Sequence, residues 1–300
     1  MNLKYIGLLY GVRDEEICKL KHKNIRIEKK FYFSIELMKK YDSMKINKAL
    51  LFRFDIHEGK NICYEIIYEE NYNEEKTNEK IEKEIAEIHK KCDDVIRFIN
   101  MYLGTSILLG PAKIYIDDKL NSNFLSSGEN KYEITSLEKY MEVKIARDKK
   151  EYFLENFEEL FDKMSDNEIL KLIIEIYDSN LYTSNFRILF INFTTCLELL
   201  LVQGRSEITY KISRGIAVLL SSSKKEGKIL YEKMKELYNM RSVLVHEGKY
   251  DDTKFIKKYN TDPMREIKQI TNEAIRKLIE LNLDKENLIL LLNENGYGDL

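Results

Sequence analysis

The sequence predicts an α+β protein, with a mixed α/β segment over residues 1–150 followed by an all-α up-and-down helical bundle over 151–300. Three observations carry this reading. Strand-like alternation is confined to the first half. One long apolar stripe with helical spacing interrupts it, and beyond the charged stretch Arg147-Asp148-Lys149-Lys150 only helical periodicity and helix caps occur. Two prolines in 300 residues leave long helices unbroken.

In the first half, residues 3–10, 48–57 and 61–69 read as strands. The last two flank Glu58-Gly59-Lys60, a glycine-containing turn that marks a hairpin. Further strands are read at 112–117 and 141–146, with Pro111 and Ser126-Ser127-Gly128 marking loops. Between them, 77–103 is a helix. Its Ile81, Ile85, Ile88, Cys92, Val95, Ile99 and Tyr102 alternate spacings of four and three and form one stripe. Such a helix is expected to lie on the small sheet rather than pair as a coiled coil. His89 falls on its polar side, where solvent exposure is expected.

In the second half, Phe153, Phe157, Leu160 and Phe161 give a short helical face. Ser165 with Glu168 forms a capping-box pattern opening a helix to about residue 182. Ser184 is a candidate cap for a helix carrying Phe186, Phe190, Phe193, Leu197 and Leu200, with Gly204 near its end. Ser206 is a candidate cap for one carrying Ile212, Ile216 and Leu219. Ser223 with Glu226 opens another, bearing Leu230, Met234 and Leu237. Asp262-Pro263 opens a last long helix, as an N-cap followed by proline at the first helical position. Short loops between amphipathic helices imply antiparallel neighbours.

The net charge of -2 does not advertise a polyanion partner, so any nucleic-acid surface must be a local patch. Cys18, Cys63, Cys92 and Cys196 lie far apart, without metal-ligand spacing, and read as free thiols of a reducing compartment. No segment approaches the roughly 18 apolar residues of a membrane span. A cytoplasmic protein without membrane association is the expectation. Phosphate-loop, dinucleotide-loop, nucleophile-elbow and His-Glu-x-x-His strings are all missing. No cofactor and no metal site are therefore expected.

Arg241 and His246 stand out. They lie in Tyr238-Asn239-Met240-Arg241-Ser242 and the following Val243-Leu244-Val245-His246-Glu247-Gly248, at the end of the helix opened by Ser223. Five residues along a helix turn about 500°, leaving the two side chains about 140° apart. They converge on one phosphate more easily if the helix unwinds there. Glu198 is either a buried partner of Arg241 or a surface acid; its sequence position does not choose.

This stretch resembles a known family. Arg241-x-x-x-x-His246 matches the R-x(4–6)-H motif of HEPN domains and is most similar to their ApeA-like branch in prokaryotic defence systems. The strings from Cys196 to Leu200 and from Ser206 to Ile212 also fit, as does polar Ser242 directly after the arginine. The resemblance spans about residues 184–282. It implies a HEPN-like bundle and metal-independent endoribonuclease activity at a site shared across a homodimer, in antiphage defence or stress-induced RNA cleavage. Gly248 stands where the toxin-type members carry tyrosine, which disfavours that subclass.

The chemistry is coherent with this. RNA supplies its own 2′-hydroxyl nucleophile, so imidazole as base or acid and guanidinium as charge clamp suffice. The expected product carries a 2′,3′-cyclic phosphate, and DNA is expected to resist. Ser242 is a candidate to orient the phosphate. From residue 205 to 265 fourteen Lys or Arg face eight Asp or Glu, a local basic excess in which Lys211, Arg214 and Lys249 are candidate RNA contacts. The competing reading is a non-catalytic RNA-binding or dimerisation module with an N-terminal sensor. In either case a protein or small-molecule trigger for residues 1–150 is open, since nothing there names a ligand.

Overall fold

The computed structural model describes residues 1–12, 14–32, 36, 56–57, 60–73, 77–124, 145–180, 183 and 185–300. Among the described residues the architecture is α+β: a seven-stranded antiparallel sheet towards the N-terminus and a wholly helical C-terminal region. The chain divides into two compact units. One holds the described parts of 1–100, 105–133 and 145–161; the other holds 101–104 and 162–300.

In the first unit, β1 (Asn2–Tyr10) and β5 (Lys60–Asn71) are central and pair antiparallel from Asn2↔Asn71 to Leu9↔Tyr64. Both correspond to expected strands, although β5 runs two residues past the expected 61–69, through Glu70 and Asn71. On the far side of β5 lie β3 (Ile25–Tyr32) and β2 (Lys21–His22), preceded by a short 3-10 helix, Glu15–Lys19. β4 (Ile56–His57) pairs with β5 through His57↔Lys60, the expected hairpin. Its turn residues 58–59, residues 48–55 and the Ser126-Ser127-Gly128 loop lie outside the described residues. Of the strand expected at 141–146, residues 141–144 also lie outside them, while 145–146 are not strand and Ala146 precedes the next helix.

On the other edge are β6 (Leu108–Ile116) and β7 (Lys119–Phe124). Asp117 and Asp118, both at positive φ, make the two-residue turn between them. Mirror-image turns of this kind match the strand twist, and aspartate tolerates the left-handed region. Pro111, read as a loop marker, is inside β6. The β1–β6 register shifts between Gly7 and Leu9, opposite Pro111, and a bulge is where a sheet accepts a residue lacking N–H.

The long helix α1 (Asn78–Leu103) buries all seven residues of its stripe. It lies on the sheet, with the Tyr5 hydroxyl 2.6 Å from His89 Nδ1. His89 is thus half-buried rather than solvated, and burial pushes its pKa down.

The first unit runs on past the boundary expected near 150. α2 (Arg147–Glu155) ties Lys150 to Asp14 and Glu16, whose carboxyl falls to about 2 through that lysine. Phe153 of α2 and Phe157 and Phe161 of α3 (Phe157–Ser165) ring Phe98 at 5.5–5.9 Å between centroids.

The second unit contains α4 (Glu168–Ser179), α5 (Phe186–Leu201), α6 (Ile208–Leu220), α7 (Lys224–Glu247), α8 (Thr253–Tyr259), α9 (Pro263–Leu281) and α10 (Lys285–Glu294). The caps sort the sequence reading. Asp262 accepts from Met264 and Arg265, and Ser223 accepts from Glu226, as expected. The Ser165 box is not used: Asn167 caps α4 instead, accepting at 3.1 Å from Ile169 and Leu170 N–H. Asn185, not Ser184, caps α5; Ser184 lies outside the described residues. Glu207, not Ser206, precedes α6, in the left-handed region and without a side-chain bond.

α4 and α5 are antiparallel, with Cys196 over Ile173 and Asn192 over Asn180. α6 and α7 form a second hairpin, joined by residues 221–223 and closed by Tyr210 against Tyr231. α5 and α7 also run in opposite senses. Glu198, late in α5, meets Tyr238, whereas Phe186 and Phe190, early in it, meet Tyr250 beyond the end of α7. In a strict up-and-down succession these alternate helices would be parallel.

Within this core Lys268 is 1% exposed, with its ammonium 5.9 Å from the Tyr177 ring centroid. Burial, and secondarily Arg276, push its pKa down to about 7. The unfolded chain, with lysine near 10.5, then binds more protons than the folded one between these values, so stability rises with pH across that window. Lys268→Met is expected to flatten that rise, because the group that titrates in this window is removed. Thermal melts from acid to mildly alkaline pH test this; parallel pH profiles for the two proteins would refute it. No helix among the described residues is long and apolar enough to cross a membrane.

Candidate functional site

α7 carries the site. Ser223 Oγ accepts from Glu226 N–H at 3.2 Å, and the Glu226 carboxylate accepts from Ser222 N–H and Oγ at 2.9 and 2.6 Å. At the other end Gly248 adopts φ 67° and donates to the Leu244 carbonyl, a conformation in which glycine carries no Cβ penalty. The helix is therefore regular through Glu247 and does not unwind at Arg241 or His246. The separation of about 140° between those side chains holds.

Arg241 is set into the bundle. Its Nη2 lies 3.1 Å from Glu198 Oε1, with the two side chains 20% and 25% exposed. Glu198 is thus the partner of Arg241, which settles the choice its sequence position left open. The same oxygen accepts from the Tyr238 hydroxyl at 2.8 Å, and the guanidinium lies 5.7 Å from that ring's centroid. Burial, then the Glu198 carboxylate, push the Tyr238 phenol up to about 12, so it remains a donor. Tyr238 was not singled out by sequence, although it sits three residues before Arg241 on the same face. Arg241 Nε is buried without a hydrogen-bond partner among the described residues.

His246 is exposed and makes no side-chain hydrogen bond or ion pair among the described residues. Ser242, half-exposed and likewise unbonded through its hydroxyl, stands one turn before it on the same face. The geometry of a single chain thus groups Ser242 with His246 and Arg241 with Glu198 and Tyr238.

The other cations behave differently. Lys211 Nζ donates to the Gln203 carbonyl at 2.8 Å. Arg214 donates to the carbonyls of Leu292 and Asn295, at the end of α10. Both satisfy chain ends that helices leave without partners. Lys249 is exposed, 3.1 Å from Glu247. Sequence reading also missed α8, whose Lys254, Phe255 and Lys258 form one wall of a groove with α7. Its only signal was the spacing of Phe255 and Tyr259 in a lysine-rich segment. Among the described residues, no three His, Cys, Asp or Glu side chains gather as a metal-ligand set.

A scan against protein-family models, a search of curated proteins and a search of solved structures each found no match to this chain.

Proposed function

We propose that the chain is a metal-independent endoribonuclease of the HEPN type, acting as a homodimer in antiphage defence or stress-induced RNA cleavage. The observation that carries this is the contrast on α7. Arg241 is anchored by Glu198 with part of its side chain still exposed, while His246 one and a half turns on is exposed and unbonded. A fixed cation and a free imidazole are the charge clamp and proton carrier that RNA transesterification needs. Since they diverge on one helix, and a single imidazole serves poorly as both acid and base, a complete site takes groups from two chains. Val245, 44% exposed on the stripe of Tyr238 and Arg241, offers apolar surface for that contact.

Purified protein is expected to cut single-stranded RNA or tRNA in the presence of EDTA, leaving 2′,3′-cyclic phosphate ends and sparing DNA of the same sequence. Dependence on a divalent ion, or equal cutting of DNA, would rule this chemistry out. The ion pair itself favours a second reading, in which Glu198 neutralises Arg241 for structural reasons and the unit only binds RNA or dimerises under an N-terminal sensor. Intact RNA recovered after long incubation with a tightly binding protein would select it.

A further inference from the structure

Beside the candidate site, α7 and α8 enclose a groove of about 700 Å³. That lies within the range of about 300–1,000 Å³ typical of small-molecule sites. Its lining is apolar at Met240, Val243 and the buried Phe255, with Val243 exposed towards its opening. Asn239 stands exposed on one wall, and Lys249, Lys254 and Lys258 line the rim. Two carboxylates, Glu236 and Asp251, also line it. Glu236 is engaged by Lys258 and Tyr259, and Asp251 accepts from the Thr253 N–H at 3.0 Å. Lys254 makes no ion pair among the described residues.

An apolar lining, one amide and a rim richer in cations than anions fit a nucleobase flanked by phosphates. Bases bury their faces on apolar side chains, an amide reads a base edge, and lysines follow the backbone. The groove also points at the chemistry. Asn239, Val243 and His246 fall at i, i+4 and i+7 on α7, so groove and imidazole share one helix face. From Val243 to His246 the helix rises about 4.5 Å, within the reach of a single nucleotide.

We propose that this groove is the subsite for the base adjoining the scissile phosphate of single-stranded RNA, with Asn239 reading the base and Lys254 meeting the backbone. The proposal rests on the ribonuclease reading for its link to cleavage, and its binding half is tested separately.

The binding measurement uses the full chain carrying His246→Ala, a labelled mixed-sequence single-stranded RNA and fluorescence anisotropy over a salt series. Added Lys254→Gln is expected to lower the slope of log affinity against log salt by roughly 0.7, the value for one lost phosphate contact. Added Val243→Glu is expected to weaken binding at least about tenfold, by placing a charge where the base packs. Both positions are at the surface, and circular dichroism checks that the fold is kept. In the His246-intact protein, Asn239→Ala is expected to change which bases flank the cuts. Unchanged affinity, slope and cut pattern across the variants would overturn the groove while leaving the nuclease standing. RNA that is bound in a groove-dependent way but never cut would remove the nuclease and keep the groove. No RNA binding by the parent chain would remove both.

Discussion

His246→Ala is expected to abolish RNA cleavage while leaving the melting temperature unchanged. General acid–base groups contribute about 10²–10⁴-fold to rate, and this chain offers no second histidine on the same face of α7. The fold should be indifferent, because His246 is exposed and holds nothing among the described residues. Single-turnover cleavage assays with parallel thermal melts decide the matter. Full activity in the variant would remove His246 from the mechanism, and a large drop in melting temperature would mean that the imidazole is structural. Ser242→Ala is expected to have a smaller effect of the same kind, since its hydroxyl shares that face without being tied down.

Glu198→Ala should act on both stability and rate. Its carboxylate takes a hydrogen bond from Tyr238 and an ion pair from Arg241. Its loss leaves a largely buried guanidinium and a phenol without their acceptor, at a cost of about 1–3 kcal/mol. Cleavage is expected to fall by about 10²-fold because Arg241 loses the contact that fixes its position. Glu198→Gln separates the parts. It keeps an acceptor for Tyr238 but not the charge, so stability should recover more than rate. Equal loss of rate in both variants with no loss of stability would contradict this arrangement.

Much of the site's local frame was legible. The stripe from Ile81 to Tyr102 is buried as its spacing required, because a 3.6-residue period dictates which side chains share a face. Ser223, Glu226 and Gly248 marked the ends of α7, which placed Arg241 and His246 on one helix. Less was legible where chemistry is generic. β3 reads as charged after Ile25 and Ile27, and β7 is a polar edge strand, so neither announces itself by alternation. Ser165 and Ser206 do not serve as caps because those helices begin at Glu168 and Ile208, directly after Asn167 and the left-handed Glu207.

The sequence by itself determined the α+β class, the faces of its strongest helices and the fact that one helix carries Arg241, Ser242 and His246; that this helix stays regular to Glu247 is a finding of the structure. Only the tertiary structure decided what those residues meet. It joined Arg241 to Glu198 and Tyr238, committed Arg214 to the end of α10, and opened a groove beside α8. The reason is one of range. Periodicity and caps are encoded within a few residues, whereas a polar contact between helices depends on the order and direction in which they pack, and α5 running opposite to α7 is what brings Glu198 to Arg241.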